Sequence, residues 1–122
     1  MSKVRKNLGK WGENVAKEFL LKNGYKVETS NYRTKGGEID LICWDKSQIV
    51  FVEIKTSRSS LLKAPQDGYS KKQQNRLRFL AQKYISTHKF GEKPEAFRFD
   101  FIGIKINKNI SQITHLKNIL FL

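Results

Sequence analysis

Apolar residues recur at helical spacing early in the chain: Leu8, Trp11, Val15, Ala16, Phe19 and Leu20, with Gly24 after Asn23 as a stop signal. The spacing predicts a helix over residues 7–23. The pattern then changes to alternation. "YKVET" (25–29) predicts a first strand, residues 38–44 a second and residues 49–56 a third, with "SNYRTKGG" (30–37) as a loop. The connection "SRSSLLKAPQDGY" (57–69) has no clear period, and long connections of this kind are often functional. Gln73, Leu77, Leu80, Ala81, Tyr84 and Ile85 predict a second helix over residues 70–88, and "AFRFDFIGIKI" (96–106) predicts a fourth strand. Beyond Asn107, Ile110, Ile113 and Leu116 fit a strand or a short helix equally.

The predicted order is α-β-β-β-α-β. The second and third strands are apolar on both faces: Ile39, Leu41 and Cys43 alternate with Ile42 and Trp44, and Val50, Val52 and Ile54 alternate with Ile49 and Phe51. Strands of this kind belong to a sheet covered on both sides. Two helices can supply the cover, so the expected class is an α/β three-layer sandwich with a central mixed sheet.

Three charges interrupt this apolar hairpin: Asp40, Glu53 and Lys55. A loop of even length centred on Lys46-Ser47 puts Asp40 opposite Glu53, and Lys55 on the same face. Opposed residues have Cβ atoms ~5 Å apart. Two ionised carboxylates at that distance repel by ~3 kcal/mol at an effective dielectric of ~20. A shared proton, a salt bridge to Lys55 or a bound cation can offset this cost. A hard divalent ion, Mg²⁺ or Mn²⁺, takes carboxylate oxygens, so Asp40 and Glu53 are candidate metal ligands, with the Ile54 carbonyl as a third. Lys55 can then hold an attacking water or balance charge on phosphorus. Two neighbouring carboxylates argue against Lys55 as the proton acceptor of the resting site, an objection that a bound metal weakens. A plain salt-bridged sheet face is the competing structural reading; the apolar neighbours Ile42, Trp44, Ile49 and Phe51 on that face argue against it.

Charge adds a partner. Among 122 residues, 24 Lys plus Arg stand against 11 Asp plus Glu, a formal net charge of +13. This balance favours a polyanion, above all nucleic acid, although solubility alone also accounts for some basic proteins. Lys71, Lys72 and Arg76 on the second predicted helix suit phosphate contacts rather than base reading. The single cysteine, Cys43, excludes an intramolecular disulfide and a multi-cysteine zinc site, and fits a reducing, cytoplasmic setting. No run approaches the ~20 apolar residues of a membrane span, and the N-terminus has no signal-peptide core.

At "GGEID" and "FVEIK" the chain resembles the PD-(D/E)XK nuclease superfamily, and more closely its small YraN-type (UPF0102) branch of Holliday-junction-resolvase-like endonucleases. "GKWGENVAKEFLLKNGYKV", "NYRTKGGEIDLI", "IVFVEIKTSR", "KKQQNRLRFLAQKYI" and "FRFDFIGI" carry the resemblance, in order, over residues 9–104. The Pro-Asp pair of the superfamily is absent, and Gly-Glu-Ile-Asp takes its place. The resemblance implies a restriction-endonuclease-like fold, cleavage of DNA with branched DNA among the candidate substrates, and Asp40, Glu53 and Lys55 as the metal-binding and catalytic core. It also implies roles for Glu13, which in relatives helps complete the metal site, and for Gln73, which in relatives holds water or substrate. Glu13 has a plain surface reading. Gln73 can instead close a capping box with Ser70. Glu38 shares the face of Asp40 and is either a supporting acid or a solvated one.

The first expectation is therefore a Mg²⁺- or Mn²⁺-dependent endonuclease acting on DNA, with a homodimer implied by the resolvase resemblance alone. The alternatives are a non-catalytic nucleic-acid-binding module with a nuclease fold, or a basic structural protein whose hairpin charges form a salt bridge. Arg98 and Asp100 share a strand face and are expected to pair; His88 and His115 have no metal-ligand spacing.

Overall fold

The structure, a computed structural model, describes residues 3–58, 70–107 and 110–120. Most of the long polar connection, 59–69, lies outside the described residues. Among the described residues, two helices and five strands follow in the order α1 (Lys3–Lys22), β1 (Lys26–Thr34), β2 (Gly37–Asp45), β3 (Gln48–Ser57), α2 (Lys71–Thr87), β4 (Ala96–Asn107) and β5 (Ile110–Leu120). The strands form one mixed sheet in chain order. β3 and β4 run parallel, with α2 in the connection between them, and the other neighbours are antiparallel. No described helix is long and apolar enough to cross a membrane.

The sheet is covered on both faces, as two-sided apolar strands require. On one side Ala16 and Leu20 of α1 pack on Leu41, Cys43, Val50, Val52, Ile102 and Ile104. On the other, Leu77, Leu80, Ala81 and Tyr84 of α2 pack on Ile42, Ile49, Phe51 and Phe99. These strand residues are all buried, and the expected three-layer α/β sandwich is the observed one. Truncating a side chain such as Phe51 to alanine should cost about 3–5 kcal/mol.

One element differs from the sequence reading, and one choice that the sequence left open is settled. β1 continues to Thr34 through the stretch expected to be a loop, because β2 continues the hairpin and pairs Tyr32 with Ile39 and Arg33 with Glu38. The final segment is a strand rather than a helix. It gains that form from pairing along β4, which local pattern could not reveal.

The β2–β3 hairpin turns over Lys46-Ser47, with Lys46 at φ 56°, and pairs Trp44 with Ile49 and Leu41 with Val52. This is the expected register. The regular ladder stops at Leu41, one residue short of Asp40. Here the alternation breaks: Ile39 packs on the α2 side, whereas Leu41, two residues on, packs on the α1 side. Residues two apart in a regular strand share a face. Beside this break, Asn31 of β1 has φ 53°, a left-handed conformation that asparagine tolerates better than most residues. Asp40 thus sits where two strands bend, at one end of the sheet.

Candidate functional site

The bend brings carboxylates from two elements together. Glu38 and Asp40 arrive on β2 and Glu13 on α1, each with a carboxylate oxygen within 4.8 Å of the other two. α1 can approach closely because Gly12 lies against the Thr56 hydroxyl of β3; any side chain there would collide with it. The Asn31 amide holds two of the acids. With its NH₂ turned toward them, it donates to Glu38 Oε1 at 2.8 Å and to Glu13 Oε1 at 3.0 Å.

Asp40 is fixed separately. Its Oδ2 accepts the backbone N–H of Ile54 at 2.8 Å, so the side chain takes up a strand amide just beyond the point where the β2–β3 ladder ends. Burial pushes the Asp40 carboxyl up to about 6; the Ile54 amide opposes this, and Glu38, Glu13 and Glu53 add repulsion, in that order. An ionised Asp40 is therefore costly unless something positive arrives.

Glu53 and Lys55 of β3 line the same cavity, about 220 Å³ in volume, with Glu38, Asp40, Ile54 and Arg76. Lys55 Nζ stands 3.9 Å from Glu53 Oε1, and Arg33 Nε stands 3.4 Å from Glu38 Oε2. Both cations are mostly exposed, at 60% and 74% of their side-chain surface, so each pair contributes only ~0–1 kcal/mol.

The positions predicted from sequence divide as follows. Asp40, Glu53, Ile54 and Lys55 meet in one cavity. Regular pairing does not set Asp40 against Glu53, and Glu53 is not part of the close three-acid group among the described residues. Glu13 joins that group, and Glu38 is a full member rather than a bystander. Arg76 borders the cavity from α2, whereas Lys71 and Lys72 are exposed on the first turn of that helix. Gln73 is exposed and closes the capping box: its Oε1 accepts the Ser70 N–H at 3.1 Å, and its own N–H donates to Ser70 Oγ at 3.2 Å. Asn31 was missed. Its only sequence signal is an asparagine in a polar stretch, which reads as a turn.

Fold and site together define a mixed α/β sandwich protein with an acid-lined cavity at one end of its sheet. Comparison with known proteins refines that class. The model of the uncharacterised protein family UPF0102 matches residues 12–104, and the chain belongs to this family. It is similar to UPF0102 proteins of Desulforamulus reducens (37% identity over 98% of this chain and 100% of the relative) and Alkaliphilus oremlandii (35% over 94% and 98%). A UPF0102 protein of Caldanaerobacter subterraneus is 38% identical over 97% of this chain and 98% of its own.

Proposed function

We propose that this protein is a divalent-metal-dependent endonuclease of the PD-(D/E)XK type that hydrolyses phosphodiester bonds in DNA. The observation that carries the reading is the convergence of Glu13, Glu38 and Asp40 within 4.8 Å, two of which, Glu38 and Asp40, line a cavity together with Glu53 and Lys55. The donor set fits Mg²⁺ or Mn²⁺. All its side-chain donors are hard carboxylate oxygens, and octahedral Mg²⁺ with bonds of about 2.0–2.1 Å separates its ligands by about 3–4 Å. Asp40 is the central ligand, with Glu13, Glu38 and Glu53 around it. A cation bound there supplies a water of lowered pKa and withdraws charge from the phosphoryl group.

The chain's own groups do the rest. The Ile54 amide fixes Asp40, and Asn31 sets the orientation of Glu13 and Glu38. Lys55, tethered by Glu53, stands at the cavity as a cation able to orient water and to offset negative charge developing on phosphate. Arg76 offers a phosphate contact at the rim, and Lys71 and Lys72 extend the basic surface along α2.

The test is a cleavage panel of linear, nicked, flapped and four-way DNA with Mg²⁺ or Mn²⁺, run beside titration calorimetry with Mn²⁺. The wild type should bind Mn²⁺ and cut at least one substrate. Asp40→Asn should lose both, whereas Lys55→Ala should keep the metal and lose cleavage. Metal binding without cleavage of any substrate would reject the nuclease. DNA binding without metal binding would favour the non-catalytic module.

A further inference from the structure

Phe79 stands on α2 and is 53% exposed. A single exposed apolar residue needs no explanation by itself. Its surroundings set this one apart. Arg76 lies one turn earlier at i−3, on the same side of the helix, and borders the acid-lined cavity. Both side chains rest on the β1–β2 turn. A Cβ at Gly36 would stand 3.0 Å from Phe79 Cε1, and one at Gly37 would stand 3.5 Å from Arg76 Cδ. Gly37 also has φ 133°, so the turn needs glycine there on conformational grounds. One glycine turn therefore seats Arg76, which lines the cavity, and the exposed Phe79 side by side. Lys35 in the same turn, Arg33 just before it on β1 and Lys55 in the cavity lining are all exposed cations.

We propose that Phe79 is a stacking platform for an unpaired base, and that the cavity accepts nucleic acid with single-stranded character next to the phosphate it engages. The inference rests on the nucleic-acid reading of this cavity and adds its substrate class. In a duplex the faces of the bases are covered by their neighbours, and only edges and backbone are offered. An aromatic ring gains a partner only where a base is unstacked, whereas Arg76 contacts phosphate in either form. Stacking of this kind tolerates any base, so the preference is for strand state and not for sequence.

The test reads binding, not cutting. Fluorescence anisotropy in EDTA compares a labelled single strand with the duplex of the same sequence at fixed salt. The wild type should prefer the single strand. Phe79→Ala should lose about tenfold to hundredfold on the single strand and almost nothing on the duplex. Phe79→Trp should restore the loss. Leu21, 55% exposed at the far end of α1, is the control, and Leu21→Ala should behave as wild type. Equal loss on both forms in Phe79→Ala, no loss, or an equal effect of Leu21→Ala overturns the proposal, as does the absence of binding to either form. The two readings separate cleanly. A protein that binds as expected but never cuts with Mg²⁺ removes the nuclease and keeps the platform. One that cuts while ignoring Phe79→Ala removes the platform and keeps the nuclease.

Discussion

Asp40 and Asp100 are aspartates on inner strands of one sheet, and their surroundings treat them in opposite ways. Asp100 is fully buried and fully partnered. Arg98 donates to its two oxygens at 2.9 and 3.0 Å, His115 Nε2 lies 2.7 Å from Oδ2, and the Asn118 N–H donates at 3.0 Å. Arg98 in turn spends its remaining donors on Asp45, Gln48 and the Tyr25 hydroxyl. Burial alone would raise the Asp100 carboxyl, but the hydrogen bonds from His115, Arg98 and Asn118 outweigh it and hold the group below its usual value. Asp40 has one backbone amide and a ring of other acids, and its carboxyl is pushed up to about 6. A closed network of this kind has no unused valence, so it specifies structure. An open one keeps acceptors free for something from outside. That contrast, more than the number of charges, separates a structural cluster from a candidate site.

The comparison breaks most easily at Asp100. Asp100→Ala leaves Arg98 buried without its main partner and should cost about 3–5 kcal/mol of stability in urea denaturation. A loss under ~1 kcal/mol would mean that the network is not closed in solution. Asp40→Asn should act in the opposite direction on the metal-free protein. It keeps the acceptor for the Ile54 amide and removes the buried charge, so at pH 7 it should stabilise by up to about 3 kcal/mol. A clear destabilisation would return the hairpin to the salt-bridge reading.

The pH dependence follows from the same two residues. Asp40 has a folded pKa of about 6 and an unfolded one near 3.8. Its contribution favours folding below pH ~4 and is lost as pH rises through about 6. Asp100 has the reverse sign: its contribution is present above the unfolded value and is lost as pH falls through the lowered folded one. Metal-free wild type should therefore lose stability relative to Asp40→Asn between pH 4 and 7, and denaturation midpoints measured across that range would reveal a flat difference if the assignment is wrong.

Two smaller effects sharpen the boundary of the site. Asn31→Ala removes the amide that bridges Glu13 and Glu38 and should weaken Mn²⁺ binding severalfold in calorimetry; unchanged affinity would show that the acids are placed without it. Ser70→Ala should cost about 1 kcal/mol through the lost cap and leave Mn²⁺ affinity unchanged. If it altered metal binding instead, Gln73 would have to be returned to the site.

Much of the architecture was legible because it follows from short-range pattern. The alternation in β2 and β3, together with an even-length turn at Lys46-Ser47, determined the hairpin register from Asp45–Gln48 to Leu41–Val52, and Asp40, Glu53 and Lys55 follow where that ladder ends. The capping box at Ser70 and Gln73 was also visible, since both partners lie within one helical turn. The extension of β1 to Thr34 and the strand character of β5 were not, because edge strands take their conformation from the neighbour they pair with.

The sequence by itself determined the two-sided strands, the charges that interrupt them and the formal net charge of +13. Only the tertiary structure decided which acids meet. The face switch at Asp40, the left-handed Asn31 beside it and the approach of Glu13 over Gly12 are contacts between residues of different elements. Periodicity along one chain segment carries no information about them. Their arrangement turned an expected pair, Asp40 and Glu53, to which the family resemblance added Glu13, into a close group of Glu13, Glu38 and Asp40 with Glu53 lining the same cavity as Asp40.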